Sequence, residues 1–198
     1  QALLASGVEY MEVGYTTTDG LFDRDKVGPW RFCDQADLAQ VVQPGSMKIS
    51  TMVDCGRVQP QDIPAKSDSL IDVVRIATYA HQMDEAIRIL DHCLEQGYET
   101  FMNVMAVSTL APSEVDDFLI RLATSGVHNV ALVDSFGALY PFHVRYLVRK
   151  YMNYLGEGIG VGVHFHNNQQ QAYANSIAAI DEGVEVVDAT IHGMGRGA

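Results

Sequence analysis

One stretch of the sequence decides the fold: VALVDSFGALYPFHVRYLVRKYMNYLGEGIGVGVHFHNN, residues 130–168. Two short apolar runs, Val130–Val133 and Ile159–His164, flank a longer segment, Pro141–Tyr154, in which apolar residues recur at helical spacing. A strand, a helix and a second strand in this order predict a right-handed βαβ unit, in which the two strands run parallel.

The same alternation runs along the rest of the chain. Further strands are predicted at Tyr10–Val13, Lys48–Val53, Val73–Ala77, Thr100–Val107 and Val186–Ile191, and further helices at Asp84–Gln96, from Pro112 to Gly126, and at Asn168–Glu182. Seven strands are too many for a compact doubly wound sheet of 198 residues with loops this short. The flavodoxin-like or Rossmann alternative also expects a GxGxxG loop after the first strand, and MEVGYTTTDG has none.

The prediction is therefore an α/β fold, a (β/α)8 TIM barrel that forms a single catalytic domain over residues 1–198. Such a barrel typically needs about 250 residues. The start of the chain, Gln1-Ala2-Leu3-Leu4, reads like the middle of a helix and has no initiator Met. We therefore expect the barrel to be incomplete here, without its first strand and its C-terminal end.

Composition and charge narrow the class of protein. Hydrophobic residues make up 47% of the chain and charged residues 19%, which is typical of a folded globular protein. The formal net charge of −12 argues against nucleic acid or an anionic membrane surface as a partner. No apolar run reaches the roughly 18 residues of a membrane span. Three cysteines without a CxxC pair predict a reduced, cytoplasmic setting.

The strongest chemical signal is GVGVHFHNN, residues 160–168, at the end of a predicted strand. Because side chains two residues apart in a strand point to the same side, His164 and His166 should project together, with Phe165 facing the helical layer. Two imidazoles at this spacing can reach one divalent cation, and barrel enzymes carry their sites at this end of the strands. The pattern predicts that His164 and His166 bind a metal; the alternative is two histidines that bond neighbouring backbone.

Two further residues are candidate catalytic residues. Asp134 directly follows a predicted strand, and its carboxylate could orient a metal ligand or a bound water. The alternative for Asp134 is a helix N-cap or a turn residue. His192, in TIHGMGRGA, is expected at the end of the last strand, as a site residue or as a solvated loop histidine. Glu12 and Asp54 also end strands and could face the same cavity.

One long irregular segment, Tyr15 to Gly45, interrupts the repeat. A segment of this length without regular structure is often a lid or a specificity loop. We expect it to cover the barrel mouth and to place Trp30 or Arg31 near the substrate, where an Arg could pair with a carboxylate. The alternative is a surface excursion.

Several segments, taken in order, carry a family resemblance: VRIATYA (74–80), FMNVMAV (101–107), VDSFGALYP (133–141), VGVHFHNN (161–168), ANSIAAIDEG (174–183) and GMGRGA (193–198). The sequence resembles the metal-dependent lyase superfamily of hydroxymethylglutaryl-CoA lyase, isopropylmalate synthase and 4-hydroxy-2-oxovalerate aldolase. The likeness is closest to the last of these. It runs from about Val8 to Ala198 and is weakest over residues 15–45.

The resemblance implies an aldolase mechanism in which a 2-oxo acid chelates a divalent metal that stabilises a pyruvate enolate. Carried over by position, His164 and His166 are metal ligands. The third ligand is an Asp of an Arg-Asp-Gly motif, expected upstream of Gln1. Mn²⁺ is the expected ion, with Mg²⁺, Co²⁺ and Zn²⁺ as alternatives. A small-molecule 2-oxo acid is the expected partner. An open sheet edge could also pair with a second copy of the chain to form a homodimer. Asn168-Gln169-Gln170-Gln171 departs from the family's Gly-containing turn, which leaves the substrate specificity open.

Three hypotheses about function follow. The first is a metal-dependent (class II) aldolase that cleaves or forms a carbon–carbon bond of a 4-hydroxy-2-oxo acid. The second is a Claisen-type acyl-CoA lyase or synthase with the same metal site, which should show a basic patch for coenzyme A; no Lys/Arg cluster stands out in the sequence. The third is a barrel module without activity, against which the retention of His164, His166 and Asp134 argues.

Overall fold

The computed structural model of the chain describes residues 2–43 and 45–195. Strands and helices alternate through this part of the chain. In order they are α1 (Ala2–Ala5), β1 (Tyr10–Tyr15), α2 (Arg24–Val27), α3 (Gln35–Val41), β2 (Lys48–Asp54), β3 (Val73–Thr78), α4 (Met83–Glu95), β4 (Glu99–Val104), α5 (Pro112–Leu122), β5 (Asn129–Asp134), α6 (Pro141–Leu155), β6 (Gly160–Phe165), α7 (Ala172–Asp181) and β7 (Val186–Val187).

The chain divides into two compact units. The first comprises the residues through 77 together with 84–101, and the second comprises 78–83 together with the residues from 102 onward. Strand β4 contributes its first residues to the first unit and its last residues to the second.

In the first unit the strands lie in chain order, with β1 parallel to β2 and β2 parallel to β3. All six residues of β3 are buried, as expected for a parallel strand that is covered on both faces. One irregularity in the β1–β2 register falls between Glu12 and Gly14. Glu12 pairs with Arg75, whose guanidinium lies 3.1 Å from the carboxylate, so a buried cation in this sheet has an anionic partner.

The second unit repeats this architecture, with β5 parallel to β6 and β6 parallel to β7. All six residues of β5 are buried. Behind this strand the helices α5 and α6 contribute Phe118 and Tyr151, two buried rings that meet edge to face with centroids 5.8 Å apart. The unit therefore has its own hydrophobic core between the sheet and the helices. The ends of its strands can carry functional groups.

The strand and helix pattern predicted from the sequence is confirmed. Each of the seven predicted strands has a counterpart among the described residues that begins within one residue of the expected position. The pairings described above are parallel, which confirms the α/β class. Closure into an eight-stranded barrel stays a prediction.

The last strand is shorter than predicted. Its expected end at Ile191 was wrong, because β7 stops at Val187. The chain then enters a 3-10 turn, Ile191–Gly193, in which His192 has a φ of 56°, a left-handed conformation that no strand accommodates. His192 is therefore an exposed turn residue and does not lie at a strand end.

Helix α7 begins later than predicted, at Ala172 and not at Asn168. The preceding residues form a turn in which Gln170 has a φ of 58°. The side-chain oxygen of Asn167 accepts a hydrogen bond from the Ala172 amide at 3.1 Å, which satisfies one of the amides that a helix start leaves without an intrahelical partner.

The segment from Tyr15 to Gly45 is more ordered than expected, since it contains α2, a 3-10 turn and α3. Arg31 lies between the rings of Tyr15 and Phe22, and it donates to the carboxylate of Asp54 at 3.3 Å. Asp54 is the last residue of β2, so this part of the segment lies at the carboxyl end of that strand, the side on which barrel enzymes carry their sites. Contact of Trp30 or Arg31 with a substrate stays a prediction.

Within residues 2–43 and 45–195, no helix is long and apolar enough to cross a membrane.

A buried phenol makes the core of the second unit testable. The Tyr151 hydroxyl is fully buried and has no hydrogen-bond partner, so its desolvation is not compensated. Tyr151→Phe should keep the edge-to-face contact and remove this cost. We expect the free energy of unfolding to rise by about 1 kcal/mol, which corresponds to a melting temperature higher by about 2–4 °C. Tyr146→Phe, on the exposed face of the same helix, should leave the melting temperature unchanged.

The same variant should alter the alkaline stability. Burial raises the pKa of Tyr151, so the folded protein keeps the phenol neutral above the pH at which the unfolded chain loses that proton. Ionisation then stabilises the unfolded state, and stability is lost as the pH rises above about 10. The wild type should therefore lose melting temperature between about pH 9 and pH 11 for a reason that Tyr151→Phe lacks, so the difference between the two proteins should widen over this range. A constant difference across this range would contradict the assignment.

Candidate metal centre

The two predicted metal ligands converge at the end of β6. His164 lies near the end of the strand and His166 lies just beyond it, and their Nε2 atoms are 3.1 Å apart. The two rings are perpendicular, with an interplanar angle of 89°. Phe165 between them is buried on the opposite side, as the strand alternation predicts. The pattern in the sequence therefore brought both imidazoles to one point.

The outer nitrogen of His164 contacts a carboxylate. Its Nδ1 lies 2.8 Å from Oδ2 of Asp188, the residue that follows β7 directly. Because an ionised carboxylate only accepts hydrogen bonds, Nδ1 carries the hydrogen, and in the neutral imidazole Nε2 then presents its lone pair. The sequence reasoning missed Asp188. The available signal was its position after the run Val186–Val187, at the carboxyl end of the neighbouring strand.

The outer nitrogen of His166 contacts the backbone. Its Nδ1 donates to the carbonyl oxygen of Ser135 at 2.9 Å. A carbonyl can only accept, so in the neutral imidazole the Nε2 atom of His166 also carries a lone pair. Each ring is thus held by a hydrogen bond on its outer side, and in the neutral form both inward nitrogens could bind a metal.

The turn after β5 holds the second histidine. Asp134 is fully buried, and its two carboxylate oxygens accept from the amides of Ala138 and Leu139 at 3.1 and 2.9 Å. The hydroxyl of Ser135 accepts from the Ala106 amide at 2.9 Å. These contacts fix the backbone whose carbonyl orients His166. They favour the turn-residue alternative for Asp134 over a direct catalytic role.

Helix α7 ties this turn to the rest of the second unit. Asn175, in the segment Ala174-Asn175-Ser176, is buried and donates from its side-chain amide to the carbonyl oxygen of Leu139 at 2.9 Å. Two of the segments that carried the family resemblance, DSFGAL and ANS, are therefore in direct contact. Their shared role is to support the backbone beside the histidine pair.

The other candidates lie elsewhere. His192 is exposed in its 3-10 turn. Asp54, in the first unit, accepts from Arg31 at 3.3 Å and from Arg57 at 3.0 Å. Glu12, in the same unit, pairs with Arg75. The catalytic role predicted for His192 and Asp134 stays a prediction.

The geometry of the histidine pair fits a divalent metal ion. Two imidazole nitrogens at about 2.1 Å from one ion lie about 3.0 Å apart at a right angle, and about 3.4 Å apart at the tetrahedral angle. The observed Nε2–Nε2 distance of 3.1 Å falls within this range. Two lone pairs that face each other repel, and a cation between them turns this repulsion into attraction.

Two nitrogen ligands would fill only part of the coordination sphere of such an ion, and other groups would have to fill the rest. Within residues 2–43 and 45–195, no set of three His, Cys, Asp or Glu side chains is arranged to hold a metal. The carboxylate of Asp188 contacts Nδ1 of His164, on the side of the ring away from His166, so it is not a third ligand of the same point. An oxygen ligand and the substrate would complete the coordination.

Comparison with known proteins identifies the family of this chain. The profile of the HMGL-like family matches residues 1–198. The 4-hydroxy-2-oxovalerate aldolase of Spirochaeta aurantia is 36% identical over 139 residues, which are 70% of this chain and 40% of that protein. The enzyme of the same name from Geobacillus thermodenitrificans is 29% identical over 209 residues and covers all of this chain, which spans 57% of that protein.

Solved structures agree with the fold. The N-terminal domain of a candidate aldolase from Bacteroides vulgatus is 31% identical, with a TM-score of 0.85, over the whole of this chain and 67% of that one. Hydroxymethylglutaryl-CoA lyase from Pseudomonas aeruginosa, at 20% identity and a TM-score of 0.77, covers 98% of this chain and 67% of that one. At that identity the second likeness concerns the fold alone.

The α/β fold and the match over residues 1–198 agree with the lyase superfamily that the sequence resembled. The chain belongs to the HMGL-like family. It spans between two fifths and three fifths of the length of the curated aldolases named above.

A glycine in the turn after β5 makes the support of His166 testable. Gly137 has a φ of 58°, and a Cβ atom there would lie 2.6 Å from the His166 carbonyl oxygen and 2.8 Å from the Asn168 amide nitrogen. Gly137→Ala should therefore shift the backbone of His166 as well as strain its own. We expect Mn²⁺ affinity to fall at least about 10-fold, measured by titration of the purified protein.

Gly156→Ala is the matched control. Gly156 has a similar φ of 68°, but a Cβ atom there would meet nothing within 4 Å. Both variants place a Cβ atom on a residue with positive φ and should lose stability, Gly137→Ala the more because its Cβ atom also meets backbone. Only Gly137→Ala should weaken metal binding. Equal Mn²⁺ affinity of the two variants would show that the turn does not position His166.

Proposed function

We propose that this chain carries the metal-binding part of a class II aldolase, which cleaves or forms the carbon–carbon bond of a 4-hydroxy-2-oxo acid within a (β/α)8 barrel. The family and the aldolases it resembles support this reaction class. One observation carries the proposal: the two Nε2 atoms of His164 and His166 face each other at 3.1 Å, each with its ring held by a hydrogen bond at Nδ1.

The proposed reaction needs positive charge beside the keto oxygen of the substrate. A divalent ion, Mn²⁺ in our proposal, would supply that charge beside a bound 2-oxo acid. The imidazoles of His164 and His166 would hold the ion. The outer nitrogen of each ring lies within hydrogen-bond distance of a fixed group, Asp188 for His164 and the Ser135 carbonyl for His166, and both Nε2 atoms face inward.

The lysines support a metal-dependent route over a Schiff base. A Schiff-base aldolase needs a lysine amine at the site. The chain has four lysines, all among the described residues, and none lies at the carboxyl end of a strand. Lys48 is the first residue of β2 and pairs with Glu99, the first residue of β4, at the opposite end of these strands.

Removal of either imidazole tests the metal centre. His164→Ala and His166→Ala should each abolish tight binding of Mn²⁺ or Zn²⁺, because a single imidazole leaves the ion with one protein nitrogen. Metal content is measured by elemental analysis after dialysis of the purified protein.

His128→Ala serves as the control for this experiment. His128 is exposed and directly precedes β5. The variant therefore removes an imidazole from the amino end of a strand in the same sheet. This variant should keep the metal content of the wild type. The same metal content in His164→Ala and in the wild type would rule out the proposed centre.

The reaction is tested with the intact protein, by pyruvate release from 4-hydroxy-2-oxo acids coupled to lactate dehydrogenase. We expect activity that EDTA removes and that Mn²⁺, Mg²⁺ or Co²⁺ restores, with no requirement for coenzyme A. His164→Ala should lack this activity at every metal concentration. Turnover that resists chelators, or cleavage of CoA thioesters only, would overturn the aldolase proposal.

A further inference from the structure

Asp188 is held beside His164 by the sheet itself. Val186 and Val187 pair with Gly162 and Val163 in a parallel register. The amide of Asp188 continues this ladder and donates to the Val163 carbonyl oxygen at 3.0 Å. The backbone of Asp188 is thus bonded to the residue that immediately precedes His164. At this distance the short side chain of an aspartate is long enough to reach the imidazole.

The supports of the two histidines differ in charge. His166 donates to a neutral backbone carbonyl, which no side-chain substitution removes. His164 contacts a carboxylate whose side chain is 16% exposed, so water weakens this interaction only in part. A carboxylate on Nδ1 fixes the ring orientation and increases the electron density at Nε2, which makes the imidazole a better ligand.

We propose that Asp188 is a positioning residue of the metal centre: it holds His164 with the hydrogen on Nδ1 and with Nε2 directed at the ion. This inference rests on the proposed metal-binding function. Asp188 acts through His164 and does not touch the ion, since the two ring nitrogens of an imidazole point away from each other. The ladder hydrogen bond to Val163 explains why the carboxylate can act as a fixed support.

A different role is open to the same pair of residues. A His–Asp pair can also serve as a general base, with the carboxylate orienting the imidazole that accepts a proton. In that case Nε2 of His164 would be available to substrate and not bound to metal. The facing Nε2 atom of His166, at 3.1 Å, favours the metal, because a general base needs no second imidazole at that distance.

The test compares Mn²⁺ affinity in the wild type, Asp188→Ala and Asp188→Asn, with bound and free ion distinguished by electron paramagnetic resonance. Loss of such a supporting carboxylate typically weakens metal binding about 10–100-fold. We expect Asp188→Ala to fall in this range. Asp188→Asn keeps the size and an acceptor oxygen, so it should fold like the wild type and bind Mn²⁺ with intermediate affinity.

Asp181→Asn is the matched control. It removes the same charge in the same unit from a residue that pairs with Arg145 at 2.8 Å. Its Mn²⁺ affinity should equal that of the wild type. The visible spectrum of the Co²⁺-substituted protein gives a second readout: it should change in Asp188→Ala, where the ring of His164 can rotate, and stay unchanged in Asp181→Asn.

The outcomes separate the inference from the proposed function. If the wild type binds Mn²⁺ and His164→Ala does not, while both Asp188 variants bind like the wild type, the metal centre stands and the inference about Asp188 is overturned. A lower melting temperature in these variants with unchanged Mn²⁺ affinity would overturn it in the same way. If His164→Ala binds Mn²⁺ like the wild type, the metal centre and the inference both fail.

Discussion

The register of β6 against its two neighbours determines where both imidazoles point. Val133 pairs with His164 on one side, and Val163 pairs with Val187 on the other. Because side chains alternate along a strand, a slip of one residue would turn His164 and His166 to the face where Phe165 is now buried. The register of three short strands thus selects the side of β6 on which the two imidazoles meet, with their Nε2 atoms 3.1 Å apart.

Buried polar groups around the turn after β5 give this arrangement its rigidity. Asp134 and Asn175 are both buried, and both bond backbone groups of the segment that follows the strand. A buried polar group that bonds the backbone stabilises one conformation, since any other leaves the group unsatisfied. The precision of the histidine pair therefore depends on side chains that have no contact with a substrate in our account.

Much of this could be predicted from the sequence, for identifiable reasons. The seven strands follow from apolar periodicity, and the convergence of His164 and His166 follows from a spacing of two within one strand. Asp188 could not be found in this way, because its contact with His164 joins two strands 24 residues apart and depends on their register. His192 was misplaced since periodicity does not reveal a left-handed residue, here at a φ of 56°.

The order of the strands has a consequence for how such a protein can change. Within each unit every strand bonds the strand next to it in the sequence, so most of the ladder hydrogen bonds lie within the strands and not in the segments that connect them. Closing a longer loop costs little, about 0.6 kcal/mol for each doubling of its length. The segment between β1 and β2 can therefore gain, lose or exchange residues without disturbing the register of β6. The histidine pair lies in the other unit, where strand register and the turn after β5 hold it, so its geometry does not depend on the length of that segment.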